Sequence, residues 1–194
     1  MSKSPMLDRT VILIGPEAAG KSTIGRLLAI ALSKELYSLD RHRDELYRPY
    51  NYDKAIAQKI YEEQGEWAFY EHWTIFEFQA VSHILQNASK AGDTFYGKIL
   101  DFGAGHSVYE KPEQLSQIEE LIKPYPDVIL ILPCEDVEEA LQITEARRGY
   151  KLGLNRHFLE HGSNRKLAKH VVYTNKRTPE ECVEDVLEFL NAVN

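Results

Sequence analysis

The chain is poor in sulfur and has neither a long apolar run nor a basic one. Its two cysteines among 194 residues, Cys134 and Cys182, lie far apart and outside any Cys-x-x-Cys pair. That excludes a disulfide framework and a cysteine-based zinc site, and free thiols in a reducing cytosol are the simplest account. No stretch approaches the ~18 apolar residues of a membrane span, and Met1 to Asp8 contain no apolar signal core. A cytoplasmic protein with no membrane partner is expected. Lys and Arg number 23 against 30 Asp and Glu, a net charge of −7 with no basic stripe. Such a surface repels nucleic acid, so no nucleic-acid partner is expected either. His157 and His161 are spaced i, i+4 but lack the H-E-x-x-H order and a third ligand, which argues against zinc. Repeats, low-complexity tracts and linkers are also missing, so residues 1–194 read as one domain.

What is present is a phosphate-binding loop. Gly15-Pro16-Glu17-Ala18-Ala19-Gly20-Lys21-Ser22-Thr23 fits G-x-x-x-x-G-K-[ST]. Glycines let the backbone N–H groups point at phosphate oxygens, Lys21 supplies a charge, and the Ser22 hydroxyl can ligate Mg2+. Thr10 to Ile14 read as a buried strand before the loop. Ile24, Leu27, Leu28 and Ala31 follow at i, i+3, i+4, i+7, one face of a helix. The helix N-terminus then adds positive partial charge where an anion would sit. The chain is expected to bind a nucleoside triphosphate through Gly15, Glu17, Ala18, Ala19, Gly20, Lys21, Ser22 and Thr23.

Four further strands are expected at Leu36 to Leu39, Lys98 to Phe102, Val128 to Leu132 and Val171 to Thr174. Continuous rather than alternating apolar runs suit strands covered on both faces. Helical patterns fall between them, at Asp53 to Gln64, Glu66 to Lys90, Pro112 to Ile122, Glu135 to Arg148 and Pro179 to Val193, the last with Thr178 as N-cap. Alternating strands and helices imply an α/β fold with a parallel sheet, whose ligands sit beyond the carboxyl ends of the strands.

The residues at those ends are therefore the candidates. Asp40 and Asp101 offer carboxylates that could hold Mg2+ or accept a hydroxyl proton. His42 and Asp44 lie beside the first, and Gly103-Ala104-Gly105-His106 follows the second. Arg148, Lys151 and Arg156 suit stabilisation of a transferring phosphoryl group. Among the aromatic residues, Phe69, Trp73, Phe76, Ala80 and Ile84 have core spacing, which leaves Tyr47, Tyr50 and Tyr70 as pocket candidates.

Taken together these motifs resemble the shikimate-kinase-like branch of P-loop small-molecule kinases over nearly the whole chain. The carriers are the phosphate loop, Asp40, Gly65-Glu66-x-x-Phe69, Gly103-Ala104-Gly105, Arg147-Arg148-Gly149, and Leu167-Ala168-x-His170-Val171-Val172-x-Thr174 with Pro179 downstream. The resemblance implies a P-loop NTPase three-layer α/β/α fold with a five-stranded parallel sheet in 2-3-1-4-5 order. It also implies a core of about 8–39 and 94–194, a helical substrate-binding insert of about 41–92, and a lid of about 147–163. ATP and Mg2+ are the cofactors it implies. Arg148 and Pro179 would sandwich adenine, Lys21, Asp40 and Arg156 would be catalytic, and Ser22, Asp40 and Asp101 would face the metal.

The departures fall where shikimate would be held. By the resemblance, His42 replaces a second acid, Tyr70 an arginine, and Gly103-Ala104-Gly105 a triple glycine. Ala18 replaces a loop glycine, and no Arg-x-Pro-Leu-Tyr element surrounds Arg165. A carboxylate acceptor wants bidentate arginine, so the acceptor is expected to be a small hydroxylated molecule other than shikimate. It would be met by His42, Tyr70, Gly103, Ala104, Gly105 and Arg165. Alternatives are a nucleotide-binding regulatory protein without kinase activity, or a nucleoside or nucleotide kinase. A monomer or weak homodimer is expected.

Overall fold

The computed structural model describes residues 9–192, so the N-terminal Met1 to Asp8 reading and Val193 lie outside the described residues. Five strands, β1 (Val11–Ile14), β2 (Leu36–Ser38), β3 (Ile99–Asp101), β4 (Val128–Leu132) and β5 (His170–Tyr173), form one sheet. The order is β2-β3-β1-β4-β5, and every neighbouring pair is parallel. The helices are α1 (Lys21–Leu32), α2 (Arg43–Tyr47), α3 (Lys54–Gln64), α4 (Glu66–Asn87) and α5 (Pro112–Ile122). They continue with α6 (Val137–Arg148), α7 (Asn155–Glu160), α8 (Ser163–Leu167) and α9 (Pro179–Ala192).

Every residue of β1, β3 and β4 is buried, because the sheet is covered on both faces. Ile12, Ile14, Leu100, Val128 and Leu130 pack with Val81, Ile84 and Leu85 of α4 and Ile118 and Ile122 of α5. Val11, Leu13, Ile129 and Ile131 pack on the opposite face with Ile24 and Leu28 of α1 and Val183, Val186 and Leu190 of α9. This is the three-layer arrangement of a P-loop NTPase. Among the described residues no helix is long and apolar enough to cross a membrane.

Local signals set the helix ends. The Asp53 side chain accepts from the amides of Ala55 and Ile56, and Asp136 caps α6 in the same way. Thr178 Oγ1 accepts from the Glu181 amide while Glu181 accepts from the Thr178 amide, a reciprocal capping box. The five-residue α2, together with α7 and α8, carries too few turns to show a periodicity in the sequence.

Candidate active site

The phosphate loop joins β1 to α1 at the carboxyl edge of the sheet. Its curl needs Gly15 (φ 136°) and Gly20 (φ 114°), and a Cβ on Gly15 would run into the Ile131 carbonyl. Only glycine takes such angles without steric cost. Ala18 adopts φ 56°, a left-handed conformation that a side chain makes costly. The Lys21 ammonium donates to Gly15 O (2.7 Å) and Pro16 O (2.8 Å), which holds it under the loop. Burial lowers its pKa, opposed by the nearby carboxylates of Asp101, Asp40 and Glu17.

A cavity of about 490 Å3 runs over this loop, lined by residues 18–24, Arg147, Arg148, Thr174, Arg177, Pro179 and Cys182. Arg148 and Pro179, expected at the nucleotide base, both line it. Arg147 is the residue the sequence reading undervalued. Its guanidinium donates to Ala18 O, Ala19 O and Thr174 Oγ1 at 3.1–3.2 Å, so it braces the loop from behind. Arg148 pairs instead with Glu17 at 2.5 Å.

A second cavity, about 540 Å3, opens on the other side of the loop between α4, the β3 end and residues 148–155. The two cavities share Ala18, Lys21, Ser22 and Arg148. Asp40, Asp101, Tyr70, Ala104 and Gly105 line the second one. The α4 residues on its wall are Glu66, Phe69, Tyr70, Trp73 and Glu77, one helical face at i, i+3, i+4, i+7, i+11. The aromatic stripe is thus divided: Phe76, Ala80 and Ile84 are core, while Phe69 and Trp73 face the cavity.

Ser22 Oγ donates to Asp101 Oδ2 at 2.8 Å beside Lys21. Burial raises the Asp101 pKa, while Lys21 and the Ser22 hydrogen bond oppose the rise. Hydroxyl and carboxylate oxygens are the hard donors Mg2+ prefers, so Ser22, Asp101 and Asp40 fit that ion. Among the described residues no group of three or more His, Cys, Asp and Glu forms a closed metal cage. An ion that keeps its waters and binds chiefly through substrate phosphates needs none.

Beneath Asp40 lies a buried polar group. His106 is fully buried, and its Nε2 is 2.8 Å from the Tyr47 hydroxyl. With Nε2 accepting from Tyr47, the ring proton sits on Nδ1, 3.7 Å from Glu77 Oε1 and 3.9 Å from Asp40 Oδ1. Burial depresses the His106 pKa to about 4, so the ring is neutral at pH 7. Burial likewise pushes Glu77 up to about 8, with Arg43 opposing. Arg43 pairs with Asp40 Oδ1 at 2.7 Å and lies 3.5 Å over the Trp73 ring, a cation–π contact.

Several expected contacts are not made. His42 turns back on β2, stacking on Tyr37 at 4.1 Å and bonding Ser38 O, and lies outside the second cavity. Arg165 lies on α8 beside a separate hollow with Leu132, Cys134 and Glu160. Gly103 sits under Asp40 and His106 rather than on the wall. Tyr47 is wholly buried against Phe76 and Ala80, and Tyr50 bonds Gln79 O. Arg156 is drawn away from the loop into a bidentate pair with Glu138, with Glu160 also in contact. Glu77 is legible as a lone acid between Phe76 and Phe78, and nothing in the sequence reading singles it out.

No protein-family model matches the chain. It is 30% identical over 194 residues to the shikimate kinase of Corynebacterium glutamicum, covering 95% of this chain and 98% of that one. The shikimate kinase of Corynebacterium efficiens is 29% identical over 192 residues, covering 93% and 95%. Among solved structures, shikimate kinase from Acinetobacter baumannii in complex with shikimate superposes with a TM-score of 0.61 at 20% identity, covering 96% of this chain and 94% of that one. A gluconokinase from Sinorhizobium meliloti superposes with a TM-score of 0.51 at 12% identity, covering 96% and 94%. Structural likeness at identities this low speaks for the fold alone.

Proposed function

Since this chain belongs to the shikimate kinase family, we propose that it transfers the γ-phosphoryl group of ATP, with Mg2+, to a hydroxyl of a small metabolite other than shikimate. The observation that carries this reading is the junction of the two cavities at Ala18, Lys21, Ser22 and Arg148. A nucleotide on one side then brings its terminal phosphate to the mouth of the other.

In the transfer, the acceptor oxygen bonds the γ-phosphorus, the bridging bond to ADP breaks, and the hydroxyl proton passes to a carboxylate. Asp40 suits that role, because it is exposed on the acceptor wall and Arg43 fixes its direction. Asp101, buried and bonded to Ser22, suits the metal side instead. Bound Mg2+ would neutralise charge on the transferring group. Lys21 and Arg148 act on the same oxygens by charge and hydrogen bonding. Helices α2–α4 would form the acceptor-binding insert, and residues 147–163 the lid.

Shikimate is disfavoured because its carboxylate lacks arginine clamps. Tyr70 and the distant Arg165 occupy the sequence positions that the resemblance assigns to them, and Arg43 is already paired. A nucleotide acceptor meets the same objection, since the arginines on the acceptor wall are already paired, Arg43 with Asp40 and Arg148 with Glu17. Calorimetry with Mg·ATP, followed by a metabolite screen with mass-spectrometric detection of phosphorylated product, tests the reading. No heat with Mg·ATP would overturn it.

A further inference from the structure

Glu77 is 4% exposed, yet it lines the acceptor cavity. Its Oε2 has no hydrogen-bond partner, and the Nδ1 of His106 stands 3.7 Å from Oε1, beyond hydrogen-bond reach. Ionising a buried carboxyl without a partner is costly, so Glu77 stays protonated until a cation or a donor meets it. Gly105 makes room for it, for a Cβ there would lie 2.5 Å from Oε2.

The surroundings say which kind of partner fits. The α4 face between Glu66 and Glu77 presents Phe69, Tyr70 and Trp73 to the cavity. Aromatic faces with carboxylates are the chemistry that recognises an organic ammonium. Trp73 already seats one cation in this way, the Arg43 guanidinium, whose charge Asp40 balances. That pairing leaves Glu77 without a cation within ion-pair distance, and burial keeps it protonated at neutral pH although Arg43 opposes this. Lys151, from the lid segment, lines the cavity too, but no contact joins it to Glu77.

We propose that the acceptor is an amino alcohol or amino sugar, a hydroxylated molecule whose protonated amine is held by Glu77 while its hydroxyl faces Asp40. This rests on the kinase reading above and narrows it. The step keeps the same balance: the P–O bond to ADP breaks, the new P–O bond forms at the hydroxyl, and its proton goes to Asp40. The amine keeps its protons and serves as an anchor. A carboxylated acceptor forms no such ion pair with this residue.

The test uses the full chain with Mg·ATP and a matched panel. Small amino sugars and amino alcohols are set against the corresponding neutral sugars and polyols, and against sugar acids and shikimate. ADP release and product mass give kcat/KM, and calorimetry without nucleotide gives amine binding. At least a tenfold preference for an amine over its neutral counterpart is expected. That preference should vanish in Glu77→Gln, with Mg·ATP binding unchanged because Glu77 does not line the nucleotide cavity. If that variant fails to fold, the wild-type panel decides alone. Preference for a neutral or acidic acceptor, selectivity surviving in Glu77→Gln, or a panel wholly inert while Mg·ATP binds would each overturn the proposal. Failure to bind Mg·ATP would instead overturn the kinase reading beneath it.

Discussion

The Tyr70 hydroxyl donates to Glu110 Oε1 at 3.1 Å, and His157 Nε2 from α7 lies 2.6 Å from the same oxygen. One carboxylate thus ties α4, the wall of the proposed acceptor cavity, to α7 of the proposed lid. Glu110→Gln should loosen that tie by about 1 kcal/mol, typical of a partly solvated charged hydrogen bond. The expected result is a several-fold higher KM for the acceptor with kcat little changed, and faster proteolysis within residues 147–163. Steady-state kinetics and limited digestion measure both.

Lys21 reports on the phosphate end. Lys21→Ala removes the buried ammonium that Gly15 O and Pro16 O hold in place. Loss of a preorganised charge of this kind costs roughly 100- to 1000-fold in turnover. Circular dichroism should be unchanged, since the loop glycines and Arg147 keep the backbone in shape. Turnover at the wild-type rate would sink the proposed role of the loop.

Ala18 and Gly103 make a contrasting pair. Ala18 sits at φ 56°, where glycine is at ease. Ala18→Gly should therefore cost little and could gain up to about 1 kcal/mol in a melting experiment. Gly103 has no room, because a Cβ there would strike the Asp40 carboxylate and the His106 ring. Gly103→Ala should destabilise by about 1–3 kcal/mol through overpacking. By displacing Asp40 it should also lower kcat by more than the loss of stability explains.

How far the chain can be read in advance depends on the range of each signal. The phosphate loop, the Thr178–Glu181 capping box and the run Val128–Leu132 are local patterns, and each sits where its residues imply. The strand order comes from the family resemblance and matches the sheet. Arg156 and Arg165 escape such reading because a cation's partner is a tertiary matter: Glu138 lies 18 residues from Arg156. The buried contacts of Tyr47 and His106, 59 residues apart, are invisible for the same reason. Arg147 and Arg148 are adjacent, yet they point to different partners, and only the turn of α6 decides which braces the loop.

Glu77 also makes a prediction about stability. Its pKa is raised from an ordinary carboxylate value of 4.5 to about 8 by burial. The folded chain therefore binds a proton more tightly than the unfolded chain does between those values. Stability then falls as pH rises through that window, because the unfolded state gives up its proton first. At about 1.4 kcal/mol per pKa unit, the loss by pH 8–9 amounts to a few kcal/mol. Glu77→Gln cannot ionise, so its melting temperature should exceed that of the wild type at pH 9 and converge on it near pH 5. Thermal melts across that range check the sign, and equal slopes for the two proteins would show that Glu77 is not held uncharged by the fold. A residue that weakens its own fold at alkaline pH, and whose replacement by an amide of the same shape would cure this, is better explained by what it binds than by what it stabilises. Adding a saturating amino alcohol should raise the wild-type melting temperature more near pH 8, where the ammonium persists and the carboxyl ionises, than near pH 5, and leave Glu77→Gln unmoved.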